Sequence, residues 1–316
     1  MPCVERGHVK TLEVRIPISP RPDYFMRVRL IAMSIREYYR DAVIQVSVGA
    51  DIEPYDLAQA LPWSSELGVE WAWVPRPEFN SWRDTAHPYI ATMMQRFRGP
   101  FGAENVLMLD ADVIALKPFD EPFAAGDSIS GVMAHGSPFA AVHRKQWTSL
   151  FRGYGLGDPG FEHEHSGWGT MIFDPAVQLS PPYFNTGVLF APVALLEKLY
   201  PVYMDALDYV RASMDSYYFE QLALTLAMER AGLPATILPA RYNYPNQANF
   251  DEHWPGELAD LRLLHFLRTE IVHRDRDFVD FRALGGLVQR HDLTGSNELL
   301  RKRIAHLLST LGVRIP

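Results

Sequence analysis

The sequence predicts an α/β protein built on a doubly wound, mostly parallel sheet. Two observations carry this. Apolar and β-branched runs such as "TLEVRIPIS", "AVIQVSVGAD", "VEWAWVP" and "NVLMLDADVIAL" are interleaved with stretches of helical apolar spacing, the order that parallel sheets require. The 316-residue chain is also 47% hydrophobic, enough for a packed core and too much for general disorder.

Thr11–Ser19 alternates and is β-branched, which predicts a first strand ended by Pro20. Asp23–Arg40 spaces its apolar residues as a helix does, with Asp23 as its predicted cap. Ala42–Asp51 and Val69–Pro75 predict the second and third strands. Ala86–Gly99 predicts a helix, with Pro88 in its first turn and Gly99 as its stop. Asn105–Leu116 predicts one more strand. Past Pro118 the pattern loosens into a strand over Asp127–His135, a glycine-rich loop over Phe151–Gly169 and a strand over Tyr183–Pro192. The following helix, "VALLEKLYPVYMDALDYVRA", predicts a break or kink at Pro201. Asp215–Gly232 predicts a helix with a glycine stop, "ATILPARYNYP" a strand and turn, and Leu261–Leu267 a strand. An amphipathic helix capped by Ser296 closes the chain.

Composition excludes some functions. A net charge of −8 argues against nucleic acid as a partner, because a phosphate backbone wants a basic face. One cysteine, Cys3, rules out an internal disulfide framework. The polar, proline-broken start reads as no signal peptide, and no apolar run is long enough to span a bilayer, so a cytoplasmic protein without a transmembrane segment is expected. Arg301–Lys302–Arg303 reads as a solvated helix face. No Gly-x-Gly-x-x-Gly or Walker-type sequence supports a dehydrogenase or an ATPase.

"ENVLMLDADVIALKPFDEPF" raises the chemical question. Residues two apart on a strand point the same way, so Asp110 and Asp112 project together from the exposed tip of a buried strand, with Ala111 facing away. Two ionised carboxylates among apolar neighbours repel one another and resist burial. A hard divalent cation, Mn2+ or Mg2+, removes both costs and leaves positions for substrate phosphates. The structural alternative is a strand end whose aspartates cap a turn.

"LMLDADVIALKPFD" resembles the Asp-x-Asp segment of the GT-A glycosyltransferases, nearest the family 8 type that includes glycogenin and lipopolysaccharide galactosyltransferases. "YFNTGVLF", "FEQLALT" and "LLHFLR" are similar to three further family segments and occur in the family's order. The resemblance spans roughly Val106 to Arg268. It implies a GT-A fold with an irregular acceptor-side half and C-terminal helices, in one domain over 1–316. Residues 1–120 are then the nucleotide-sugar half, 121–275 the acceptor and metal half, and 276–316 a helical extension.

The resemblance implies a metal set of Asp110, Asp112 and His265, with Ala111 beside the nucleotide. It places Asn185 and Gly187 against the donor sugar, Gln221 near the anomeric carbon, and Glu220 among the hydroxyl partners. Ser19, Arg21 and Asp23, in the loop after the first strand, would hold the nucleoside. The chain departs from the family in its late motif, reading "HFLRTEIVHRDRDF" without the lysine that neutralises diphosphate, so Arg268 or Arg274 must substitute. "YIATMMQRF" is mostly apolar where the family carries basic residues, which makes Arg83 the candidate there. Without the resemblance, His265 reads as a core histidine, Asn185 and Gly187 as a bulged strand, and Glu220–Gln221 as a solvated pair. His163 and His165 in "FEHEHSGWG" have a possible zinc spacing, but a loop over the acceptor site, with Trp168 offering a flat face to a sugar, fits the glycine content better.

The expected function is transfer of a hexose, with retention, from a nucleoside diphosphate sugar to a hydroxyl acceptor on a saccharide, glycolipid or protein. The resemblance implies UDP as the nucleotide. The alternatives are a sugar-nucleotidyltransferase, which would want a glycine-rich loop after its first strand, and a nucleotide-sugar-binding protein of the same fold without turnover.

Overall fold

The computed structural model describes residues 11–75, 93–124, 126–139, 143–165, 179–267 and 269–312. Strand β1 (Leu12–Ile18) is followed by helix α1 (Pro22–Arg36), β2 (Val43–Gly49), β3 (Val69–Val74), β4 (Asn105–Leu109), β5 (Val113–Ala115) and β6 (Ile129–Met133). Helix α2 (His143–Gly153) precedes β7 (His163–Glu164), β8 (Leu179–Ser180) and the long β9 (Phe184–Pro192). Helices α3 (Val193–Ser213) and α4 (Phe219–Arg230) lead to β10 (Ala235–Ile237), β11 (Tyr244–Pro245) and β12 (Leu263–His265). The chain ends on α5 (Phe281–Val288) and α6 (Gly295–Thr310).

The main sheet runs β10-β6-β9-β4-β1-β2-β3. Its pairs are parallel except at β9, which is antiparallel to both β4 and β6. The α/β, mostly parallel architecture expected from the sequence is the one observed. A small second sheet, β11-β12-β5, stands beside it. Strands β1, β2, β3 and β4 point the same way, so their carboxyl ends lie along one edge, where open α/β sheets bind ligands.

β1 is buried along its whole length although it reads "LEVRIPI". Val14, Ile16 and Ile18 join the apolar cluster that includes Val28, Ile31 and Ile35 of α1. Arg15 uses its buried guanidinium to donate to the carbonyls of Gln95 (3.1 Å), Arg98 and Pro100 (2.5 Å), and it pairs with Glu13. Burying that charge is tolerable only because it is hydrogen-bonded on several sides. It clamps the 95–100 segment onto the sheet.

α4 is buried nearly all round, as befits a central helix rather than a surface one. Leu222, Leu224 and Leu226 are sealed in a cluster with Leu199, Tyr203 and Leu207 of α3. Each such leucine contributes roughly 1.5–3 kcal/mol relative to exposure.

Several local expectations are corrected. The run Asn105–Leu116 is two strands, because the chain leaves the main sheet at Leu109, turns over residues 110–112 and enters the small sheet at Val113. α1 starts at Pro22, a good first helical residue, so Asp23 lies inside its first turn and Arg21 occupies the cap position. α3 is not interrupted at Pro201 but runs through it as one helix of 21 residues. Thr294 precedes α6, and Ser296 instead donates its hydroxyl and backbone N–H to Asp251. Helix α2 occupies sequence with no predicted element up to Leu150 and takes Phe151–Gly153 from the predicted loop, and its amphipathic face seats Trp147, Leu150 and Phe151 in the core. The first half of the helix expected over Ala86–Gly99 lies outside the described residues; toward its end the chain forms a 3-10 turn, Gln95–Phe97. No helix among the described residues is long and apolar enough to cross a membrane.

Candidate metal and donor site

The topology itself brings the carboxylates and the histidine together. β4 pairs with β9 in a register that sets Leu109 opposite Val188, and the next N–H, of Asp110, donates to the Gly187 carbonyl at 2.9 Å. β5 pairs with β12 so that Val113 faces His265, and the Phe266 N–H donates to the Asp112 carbonyl at 2.8 Å. The turn between two sheets therefore carries both aspartates to the end of the strand bearing His265. One ligand atom from each of Asp110, Asp112 and His265 lies within 4.8 Å of the others. Donors on one ion at about 2.1 Å are at most about 4.2 Å apart, so the set needs only a small contraction to close on a cation.

The turn differs from an exposed strand tip. Asp112 is 3% exposed and Ala111 is buried, while Asp110 is half-buried. His265 Nε2 lies 3.1 Å from Asp112 Oδ1, and its Nδ1 lies 2.9 Å from Asn243 Oδ1. Burial pushes the His265 imidazole below the ordinary histidine value, against the upward pull of Asp110. Neutral imidazole beside two carboxylates is a mixed nitrogen–oxygen donor set, which suits manganese as well as zinc.

Two arginines neutralise the pair in part. Arg274, in the short helix Arg274–Asp277, donates to Asp112 Oδ2. Arg96 is 1% exposed and donates from Nη1 to Asp110 Oδ1 and to the Thr186 carbonyl, both at 3.0 Å. Its buried Nη2 has no hydrogen-bond partner among the described residues. Arg96 is the residue that sequence reasoning passed over, because "YIATMMQRF" reads as apolar. Its neighbour Phe97 packs on Tyr203 of α3 with centroids 4.6 Å apart, and the Arg15 clamp holds the turn from the other side.

Glu220, in the first turn of α4, is 8% exposed rather than solvated. Burial pushes its carboxyl up to about 8, with Arg96 opposing and Asp110 adding to the shift. It is thus a carboxyl held neutral beside the carboxylate pair. Gln221 is half-buried next to it, and its carbonyl accepts from Thr225 at 3.1 Å.

Gly187 is explained by close approach. A Cβ there would stand 2.5 Å from His265 Cε1 and 2.9 Å from Asn185 Oδ1. The half-buried Asn185 accepts from the Gly187 N–H at 2.9 Å. The register irregularity of this region falls instead between Gly131 and Met133, on β6.

At the first-strand loop, the Ser19 carbonyl accepts from the Arg21 N–H at 2.8 Å. Asp23 is buried and accepts from Arg27 at 2.6 Å and Arg21 at 3.0 Å. Arg21 is exposed and reaches to 3.9 Å from Asp275. The helix of Arg274 and Asp275 therefore bridges the loop after β1 to the Asp-Ala-Asp turn. Arg83, Arg268 and Trp168 lie outside the described residues. In "FEHEH", His163 and Glu164 form β7 against β8, and buried His165 sets its Nδ1 3.1 Å from the Ala134 carbonyl. Burial brings His165 down to about 4. The described residues hold one group of metal-ligand type, and neither His163 nor His165 belongs to it.

No family model matches the sequence, and no curated protein matches it. The architecture matches that of the galactosyltransferase LgtC, solved in complex with donor and acceptor sugar analogues. The match covers 96% of this chain and 97% of that chain, with a TM-score of 0.51 and 13% identity. The chain has the GT-A fold of that family 8 enzyme, with its mostly parallel seven-stranded sheet and C-terminal helices.

Proposed function

We propose that the protein is a metal-dependent glycosyltransferase that moves a hexose from a UDP-sugar to a hydroxyl acceptor, with retention at the anomeric carbon. One observation carries the reading: Asp110, Asp112 and His265 converge at the carboxyl edge of a GT-A sheet within 4.8 Å of one another. The residues fit a divalent cation that takes both oxygen and nitrogen ligands, since two carboxylates and a neutral imidazole otherwise face each other across the turn. Manganese or magnesium bound there supplies Lewis-acid stabilisation of the departing diphosphate.

In this reading the chain's own groups do the rest. Ser19 and Arg21 receive the nucleoside, with Asp23 holding the arginine in place. Arg274 turns from Asp112 toward the diphosphate and takes the role of the family's lysine, and Arg83 and Arg268 add positive charge. Ala111 lines the nucleotide side of the turn. Arg96 offers its spare Nη2 to the donor sugar, where a buried donor without a partner gains most from a hydroxyl. Asn185, Gly187 and Gln221 contact the sugar, and Glu220, neutral at physiological pH, donates a hydrogen bond to a hydroxyl. The one-domain organisation, with a nucleotide-sugar half before residue 120 and an acceptor half after it, follows from the same assignment.

The test is turnover of a UDP-hexose panel with manganese and with EDTA, followed as UDP release. Manganese-dependent release from one donor, with configuration retained in the product, is expected. The Arg274–Asp112 pair favours a second reading, a nucleotide-sugar-binding protein without turnover, because it occupies an oxygen that the cation would use. UDP-sugar binding with no UDP release, even to water, would select that reading.

A further inference from the structure

Asn243 is fully buried and stands between the 3-10 turn Ala240–Tyr242 and β11. Its backbone is tied at both ends. Its N–H donates to the Ala240 carbonyl at 2.9 Å, and the next residues pair with β12 in the register Tyr244 to Leu264 and Pro245 to His265. The carboxamide therefore arrives beside the His265 ring from a rigid element.

Its two contacts fix its direction. Nδ2 donates to the Asn185 carbonyl at 3.4 Å, and Oδ1 lies 2.9 Å from His265 Nδ1. The opposite amide orientation would press the side-chain oxygen against the Asn185 carbonyl, acceptor against acceptor. With Oδ1 facing the ring, Nδ1 must carry the imidazole proton to make a hydrogen bond. A neutral imidazole has one N–H, so Nε2 then presents a lone pair toward Asp112 Oδ1, 3.1 Å away. Two acceptors at that distance repel unless a cation lies against both. The ring packs closely on the backbone of Gly187, where an added Cβ would lie 2.5 Å from its Cε1. Metal-bound histidines in general donate their second ring N–H to a fixed acceptor, which sets tautomer and orientation.

We propose that Asn243 is a positioning residue of the metal centre: it holds His265 in the Nδ1–H tautomer and aims the Nε2 lone pair at the cation shared with Asp110 and Asp112. The inference rests on the reading of these three residues as metal ligands.

The test uses the full chain labelled with nitrogen-15 histidine. Long-range proton–nitrogen correlation on protein loaded with magnesium, a diamagnetic cation that relieves the Nε2–Asp112 repulsion, with His265 assigned by loss of its signals in His265→Gln, should show the Nδ1–H tautomer. In Asn243→Leu, of similar size but with no acceptor, the proton should move to Nε2 and manganese affinity, measured by titration with manganese alone, should fall roughly 10–100-fold. Asn243→Asp keeps an acceptor toward Nδ1 but sets its second oxygen against the Asn185 carbonyl, so it should lose stability and yet keep the Nδ1–H tautomer that Asn243→Leu loses. An Nε2–H tautomer in the wild type overturns the proposal without needing either variant. Wild-type manganese affinity in Asn243→Leu overturns it while the metal reading stands. A wild type that takes up no manganese removes that reading and the proposal with it.

Discussion

Asp112 concentrates the chemistry of the site in one side chain. It is buried, faces His265 with one oxygen and Arg274 with the other. Asp112→Asn should cut UDP-hexose turnover roughly 100-fold or more, the usual cost of losing one preorganised electrostatic partner. Its effect on the melting temperature should be small, because Arg274 is 33% exposed and recovers water. Near wild-type turnover at limiting manganese would remove Asp112 from the site. Glu220 gives a pH signature. Its carboxyl is held protonated up to about 8 in the fold but ionises in the ordinary carboxyl range when unfolded. Between those values the folded state binds the extra proton, so stability falls as pH rises toward about 8 and levels off above it. Glu220→Gln should flatten this decline and be the more stable form at pH 9, by an amount on the order of a few kcal/mol. Denaturant unfolding at pH 5 and pH 9 measures it; an equal difference between the two proteins at both pH values would mean that the carboxyl ionises normally.

At the scale of elements, the site is a meeting of strand ends. β9 passes under His265 at a glycine, and a methyl there meets the imidazole. Gly187→Ala should destabilise the protein by about 1–3 kcal/mol, the range for overpacking, and weaken manganese binding because the ring must shift. Unchanged manganese affinity in a folded Gly187→Ala protein would mean that the ring tolerates displacement. The helix of Arg274 and Asp275 joins the loop after β1 to the Asp-Ala-Asp turn. Its arginine competes for an oxygen that a cation would use. Arg274→Gln should therefore bind manganese several-fold more tightly without nucleotide and UDP more weakly with manganese present, both read by calorimetric titration. An unaltered pair of affinities would leave Arg274 as a surface ion pair.

The whole molecule should respond to metal and nucleotide together. The carboxylate turn repels a bare diphosphate, so UDP should raise the melting temperature with manganese and not with EDTA. At a hundredfold excess over the dissociation constant the gain is about 2.7 kcal/mol, several degrees for a chain of this size. An equal shift in EDTA would separate nucleotide binding from the metal. The sequence by itself determined the alternation of strands and helices from β1 to β4. Periodicity and β-branching are local properties, and parallel sheets impose them on each segment separately. It also marked Asp110 and Asp112, because charge at the end of a buried apolar run is visible along the chain. It did not reveal α2, whose helical face is short and flanked by glycine-rich sequence, nor the break of Asn105–Leu116 into strands of two different sheets. Arg96 and Asn243 were illegible for the same reason. An arginine within an apolar stretch and an asparagine in a turn look solvated until a distant strand, β9 or β12, closes over them. Only the tertiary structure decided that His265 faces Asp112, that Glu220 is buried, and that Gly187 is a glycine for the sake of an imidazole. Each depends on contacts between residues far apart in sequence, which arise when two sheets share one turn.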